Sequence, residues 1–141
     1  MKATHRILCT ALLGMVCCAA PGAPAAAEEK ARVVTISIQD KAEGIRPETV
    51  DVKRGDTVVW YNQGKEPVTI RVKQRLGIVC SPLVNFNADP AGNYQTGTIV
   101  HGSTASLCFL HGGTYTYEVR WLKLKDRKPA GKAAVGKVNV E

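Results

Sequence analysis

Apolar and polar residues alternate with period two along most of this chain, the spacing of a half-buried strand whose side chains point to opposite faces. Arg32-Val33-Val34-Thr35-Ile36-Ser37-Ile38 opens the pattern, Gly44 breaks it, and Thr49 to Lys53 forms the next strand. Arg54-Gly55-Asp56 predicts a tight turn, where glycine accepts positive φ. Thr57 to Tyr61 follows, with Val58 and Trp60 on one face. Gly64 to Pro67 reads as a loop, after which Val68, Ile70 and Val72 alternate with Thr69, Arg71 and Lys73. Residues 76–97 are the least regular part, because Pro82, Pro90, Gly92 and Gly97 interrupt any long element. Patterning returns at Ala105 to Phe109, and His111-Gly112-Gly113 turns the chain into Thr114 to Val119. The last strand is Val135 to Val140, with Val138 and Val140 inward. No helical periodicity of useful length and no internal repeat is present. Short strands separated by glycine turns predict an all-β Greek-key sandwich or barrel of about seven to eight strands.

The N-terminus carries a different pattern. Lys2 and Arg6 precede an apolar stretch from Ile7 to Ala20, and Ala25-Ala26-Ala27 offers a small-residue cleavage site. These are the parts of a secretory signal peptide over residues 1–27, too short and wrongly flanked for a membrane anchor. Cys17 and Cys18 also raise a lipoprotein reading, which Val16 directly before Cys17 fits poorly. The expected mature protein is a single domain, residues 28–141, periplasmic or secreted, with no transmembrane segment.

Three of the five cysteines fall in that leader, leaving Cys80 and Cys108. An even pair in an oxidising compartment is most simply one disulfide, worth roughly 3 kcal/mol on the chain-entropy account. A metal or reactive-thiol pair is the alternative. Without Lys2 and Arg6 the chain keeps 17 basic against 12 acidic residues. Residues 120–132 hold Arg120, Lys123, Lys125, Arg127, Lys128 and Lys132 against Asp126 alone, so this segment carries the whole net charge of +5. Basic character is therefore local, and export removes most of the opportunity for a nucleic-acid partner.

Two stretches carry a family resemblance. Ile45-Arg46-Pro47-Glu48-Thr49-Val50-Asp51-Val52-Lys53-Arg54-Gly55-Asp56-Thr57-Val58-Val59-Trp60-Tyr61-Asn62 resembles the first half of a cupredoxin, the plastocyanin- and azurin-like blue-copper sandwich. Gly113-Thr114-Tyr115-Thr116-Tyr117-Glu118-Val119 is similar to the strand that ends there in the copper-binding Cys, and Val138-Asn139-Val140 matches the closing strand. The resemblance runs from Val33 to Glu141 and implies the Greek-key strand order. It also implies where ligands belong. A blue-copper centre uses two imidazoles, a thiolate and often a weak axial Met. The first His position, after Pro67, holds Val68, and the Cys position holds Val119. Trp121 to Lys125, where the second His and the Met belong, contain neither, and the mature chain has no Met. The expectation is a member lacking the copper ligands and carrying no cofactor.

The remaining donors leave a non-standard site to weigh, built from Cys80, His101, Cys108 and His111, with copper-handling or redox accessory work as its function. The resemblance turns Leu107 and Phe109 inward and Cys108 outward, so that Cys80 in the irregular connection reaches it and a disulfide accounts for both. His101 and His111 each precede glycine and suit turns. Ser103 and Ser106 lack any nucleophile setting, so enzymatic activity is not expected.

The basic segment is the main functional candidate. Within the resemblance it takes the place of the ligand loop, part of the partner-docking end. Trp121, Leu122, Lys123, Lys125, Arg127 and Lys128 would bind an acidic exported protein, an oxidoreductase among the candidates. The competing reading has Trp121 and Leu122 finish the core while the lysines solvate a loop. Arg71, Lys73 and Arg75 share a strand face and either extend the basic surface or guard an edge.

Overall fold

The computed structural model describes residues 30–74, 80 and 83–141. The expected leader 1–27, Arg75 and part of the irregular connection lie outside the described residues. Ten strands follow in chain order: β1 Val33–Ile38, β2 Ile45–Arg46, β3 Thr49–Val52, β4 Thr57–Asn62 and β5 Val68–Val72. Then come β6 Phe86–Ala88, β7 Tyr94–Thr96, β8 Thr104–Cys108, β9 Gly113–Trp121 and β10 Ala134–Val140. The described residues contain no helix.

The strands make two mixed sheets, ordered β2-β1-β4-β8 and β3-β10-β9-β5-β7-β6. Parallel pairing of β1 with β4 and of β3 with β10 is what long crossovers between sheets produce, and it gives the sandwich its Greek-key character. Inward positions repeat every second residue: Ile36 and Ile38, Val58 and Trp60, Ala105 and Leu107 from one sheet. The other contributes Val68, Ile70 and Val72 with Tyr115, Tyr117, Val119 and Trp121. Trp60 sits between the sheets, edge-on to Tyr117 at 5.3 Å and to Phe86 at 5.5 Å. These edge contacts are the arrangement that aromatic quadrupoles favour.

The ten strands among the described residues exceed the seven to eight expected from the pattern. The additions are β2, β6 and β7, each of two or three residues, too short to show an alternation. Within the stretch 76–97 the described residues include the short β6–β7 hairpin. Its turn is tied by Asp89, whose carboxylate accepts from the Asn93 backbone and side-chain nitrogens at 2.9 Å each. That is the local bonding by which Asp and Asn favour turns.

Candidate functional site at the β9–β10 end

Beyond β9 the chain continues as a tight hairpin. Leu122 bridges Pro129, Lys123 N donates to the Lys128 carbonyl at 2.8 Å, and Arg127 N donates to the Lys123 carbonyl at 2.9 Å. Asp126 accepts from Lys128 N at 3.1 Å and so caps the turn. Arg127 has φ 56, the left-handed region that non-glycine residues rarely enter. The segment is therefore a braced tip.

Trp121 and Leu122, expected on the binding surface, are instead part of the core, and this is a correction. Trp121 is 3% exposed and its indole N–H donates to the Gln39 carbonyl at 2.9 Å. Leu122 is buried, and its backbone N–H donates to the Pro67 carbonyl at 2.8 Å. Trp121 extends the inward series Tyr115, Tyr117, Val119, a pattern that favours the core without deciding between core and docking patch. Lys123, Lys125, Arg127 and Lys128 are exposed, and no salt bridge among the described residues involves them.

Opposite the tip stand the loops that follow β4 and precede β8, and one buried polar side chain holds both. The Asn62 amide donates to the Glu66 and Ile99 carbonyls at 3.0 Å each, while its oxygen accepts from Gly64 N at 3.1 Å. His101 Nδ1 lies 3.1 Å from the Gly64 carbonyl and links the same two loops. Between them and the hairpin tip lies a cleft of about 180 Å³, lined by Lys65, Pro67, Val100, His101, Leu124 and Arg127. Leu124 is 67% exposed and Val100 46%, an apolar surface inside a cationic rim. Sequence reading missed Asn62, Lys65, Pro67 and Val100. Only Asn62 carried a signal, as a polar residue in register with inward Val58 and Trp60.

Val68, which the resemblance sets at a copper-ligand position, directly follows Pro67 of this cleft. Val68 and Val119 are fully buried, carry no donor atom and pack as ordinary core valines. With Trp121 and Leu122 also in the core and no His, Cys or Met from 121 to 125, these residues do not fit a blue-copper centre. The alternative donors are not brought together. Cys108 lies opposite Thr57 at the start of β4, whereas His101 contacts Gly64 beyond its end. The four residue steps of the intervening strand β8 put roughly 13 Å between the two ends at about 3.3 Å per residue. Cys80 and Cys108 form a disulfide with Cα atoms 5.2 Å apart. His111 shares that far end, its carbonyl accepting from the Tyr115 hydroxyl at 3.0 Å. Among the described residues no group of three His, Cys, Asp or Glu side chains is placed to hold a metal.

Within the second basic stretch, Arg71 and Lys73 are both paired with carboxylates. Arg71 approaches Asp89 at 3.5 Å, and Glu118 is shared by Lys73 and Arg120, the latter at 3.2 Å. The Lys73 hydrogen bond, with help from Arg120 and against partial desolvation, holds the Glu118 carboxyl below its ordinary value. Arg71 and Lys73 therefore add little to the field of the hairpin tip. No helix among the described residues is long and apolar enough to cross a membrane.

No protein-family model matches the chain, and no curated protein matches it. Solved structures do. A purple cupredoxin from Nitrosopumilus maritimus is 18% identical, over 76% of this chain and 98% of its own, at a TM-score of 0.49. A proline-to-glycine variant of amicyanin, in its reduced Cu(I) form at pH 4, is 22% identical over 77% of this chain and 82% of its own, at a TM-score of 0.51. A methionine-to-alanine variant of amicyanin with Cu(I) is 24% identical over the same shares, also at 0.51. At such identities the likeness speaks to the fold alone. With its two mixed sheets packed face to face, this chain has the cupredoxin-like fold.

Proposed function

We propose that this protein is an exported, copper-free cupredoxin-like accessory protein that docks an acidic partner protein through its basic 120–132 segment. The leader pattern of residues 1–27 supports export to the periplasm or beyond. The observation that carries the docking reading is the hairpin tip itself. Lys123, Lys125, Arg127 and Lys128 are exposed around the 67% exposed Leu124, with one acidic residue in the whole segment. Cations beside an apolar contact give a partner both electrostatic steering and a desolvated centre. The amicyanin neighbours are copper proteins seen in reduced and oxidised forms. An oxidoreductase, or a protein that assembles one, is the partner class this scaffold suits.

The test is capture from an extract of the exporting compartment, with the mature protein as bait at low and at 0.5 M salt. Lys123, Lys125, Arg127 and Lys128 together changed to Glu should abolish recovery of an acidic protein while circular dichroism and Tm stay unchanged. Recovery that survives both the charge reversal and high salt overturns the docking role, because screening at that ionic strength removes long-range attraction.

A further inference from the structure

We infer that the cleft between the hairpin tip and the His101 loop is an anchor site for one apolar side chain, presented by an extended acidic segment of the partner. This rests on the docking reading above and goes further, naming the recognition element and the residues that read it. Its volume of about 180 Å³ lies below the roughly 300–1,000 Å³ of small-molecule sites, which suits a single side chain. Pro67, Val100 and Leu124 supply the apolar lining, and Val100 and Leu124 remain 46% and 67% exposed. Lys65 and Arg127 also line the cleft, with Lys123, Lys125 and Lys128 further along the tip. Charge complementarity therefore asks for carboxylates flanking the inserted group.

The backbone supports the same reading. Arg127 sits at φ 56, where glycine or asparagine would be the unstrained choice, yet the residue present contributes a cation to the cleft. Asn62 fixes the facing loops through three hydrogen bonds, so the cleft is formed before any partner arrives.

The probe is a fluorescein-labelled nine-residue peptide of alternating Asp and Glu with a central leucine, compared with the same peptide carrying a central serine. Fluorescence anisotropy with the mature protein should show the leucine peptide binding at least tenfold tighter. In the double variant Leu124→Ser, Val100→Ser that ratio should fall toward one while salt-sensitive binding of both peptides persists. Arg127→Gly should weaken both peptides several-fold with Tm unchanged or higher, since glycine accepts the backbone conformation. Equal binding of the two peptides by the unaltered protein overturns the anchor site and leaves acidic docking standing. Binding of neither overturns both. Tighter binding to phosphatidylglycerol vesicles than to either peptide reassigns the surface to a membrane and likewise overturns the anchor.

Discussion

The Asn62 side-chain amide donates to the Ile99 carbonyl at 3.0 Å, joining the end of β4 to the segment that leads into the cleft. Asn62 is fully buried, and its second amide proton and its oxygen are also used. Removing such a side chain strands partners that water cannot reach. Asn62→Ala should therefore lower unfolding stability by about 2–4 kcal/mol, read by urea denaturation. Asn62→Asp should do at least as badly, since a carboxylate would face the Glu66 and Ile99 carbonyls. A loss below about 0.5 kcal/mol, the range of ordinary surface changes, is the contrary result.

The hairpin joins a core residue to a surface one three positions apart, and stability separates them. Trp121→Ala should cost about 3–5 kcal/mol, as large-to-small core changes do. Leu124→Ala should stay within about 0.5 kcal/mol of the unaltered protein. Thermal and denaturant melts of the two variants check this directly. Similar losses at both positions would place Leu124 in the core as well.

Asp56 predicts an acid limb. Its buried carboxylate joins the β3–β4 turn to the start of β1 by accepting from Arg32 N at 2.8 Å, Lys53 N at 2.9 Å and Arg32 Nη2 at 2.8 Å. Burial alone would raise this group. The Lys53 and Arg32 hydrogen bonds and the Arg32 charge outweigh it and hold the carboxyl at about 2, below its ordinary 3.8. A depressed folded-state value means stability that is complete above the ordinary value and is lost as pH falls through the folded one. Stability should fall between pH 3.8 and about pH 2. Asp56→Asn should be less stable near neutrality and show a flatter acid limb across that window. Parallel limbs would show that Asp56 does not set it.

Valine at positions 68 and 119 predicts the outcome of metal loading. Titration of the purified mature protein with Cu(II) should give no intense visible band and no stoichiometric copper, and the native protein should contain no free thiol. Stoichiometric copper without the band, together with two free thiols, would restore a site using Cys80 or Cys108.

How much of this was legible differs from element to element. The alternation of Val68, Ile70 and Val72 is a local property of the chain, because side chains of a strand must point to opposite faces. So β5, β4 and the inward valines of β10 could be read directly. The strands β6 and β7 are too short for any period to appear, and their pairing depends on a turn bonded by Asp89 and Asn93. The concentration of charge in 120–132 and the valines at 68 and 119 are also facts of sequence.

What sequence could not decide is which side of the surface Trp121 occupies. Its amphipathic ring suits either a core edge or a docking patch, and the decision is made by the Gln39 carbonyl 82 residues away. The cleft is non-local in the same sense. Lys65, Val100 and Leu124 belong to three separate loops, and nothing in the spacing of the three predicts a shared surface. Sequence by itself determined the longer strands and the placement of charge, since each is carried by neighbouring residues. Only the tertiary structure decided which of those residues meet, because loop positions follow from how the two sheets pack and from the hydrogen bonds of Asn62 between them.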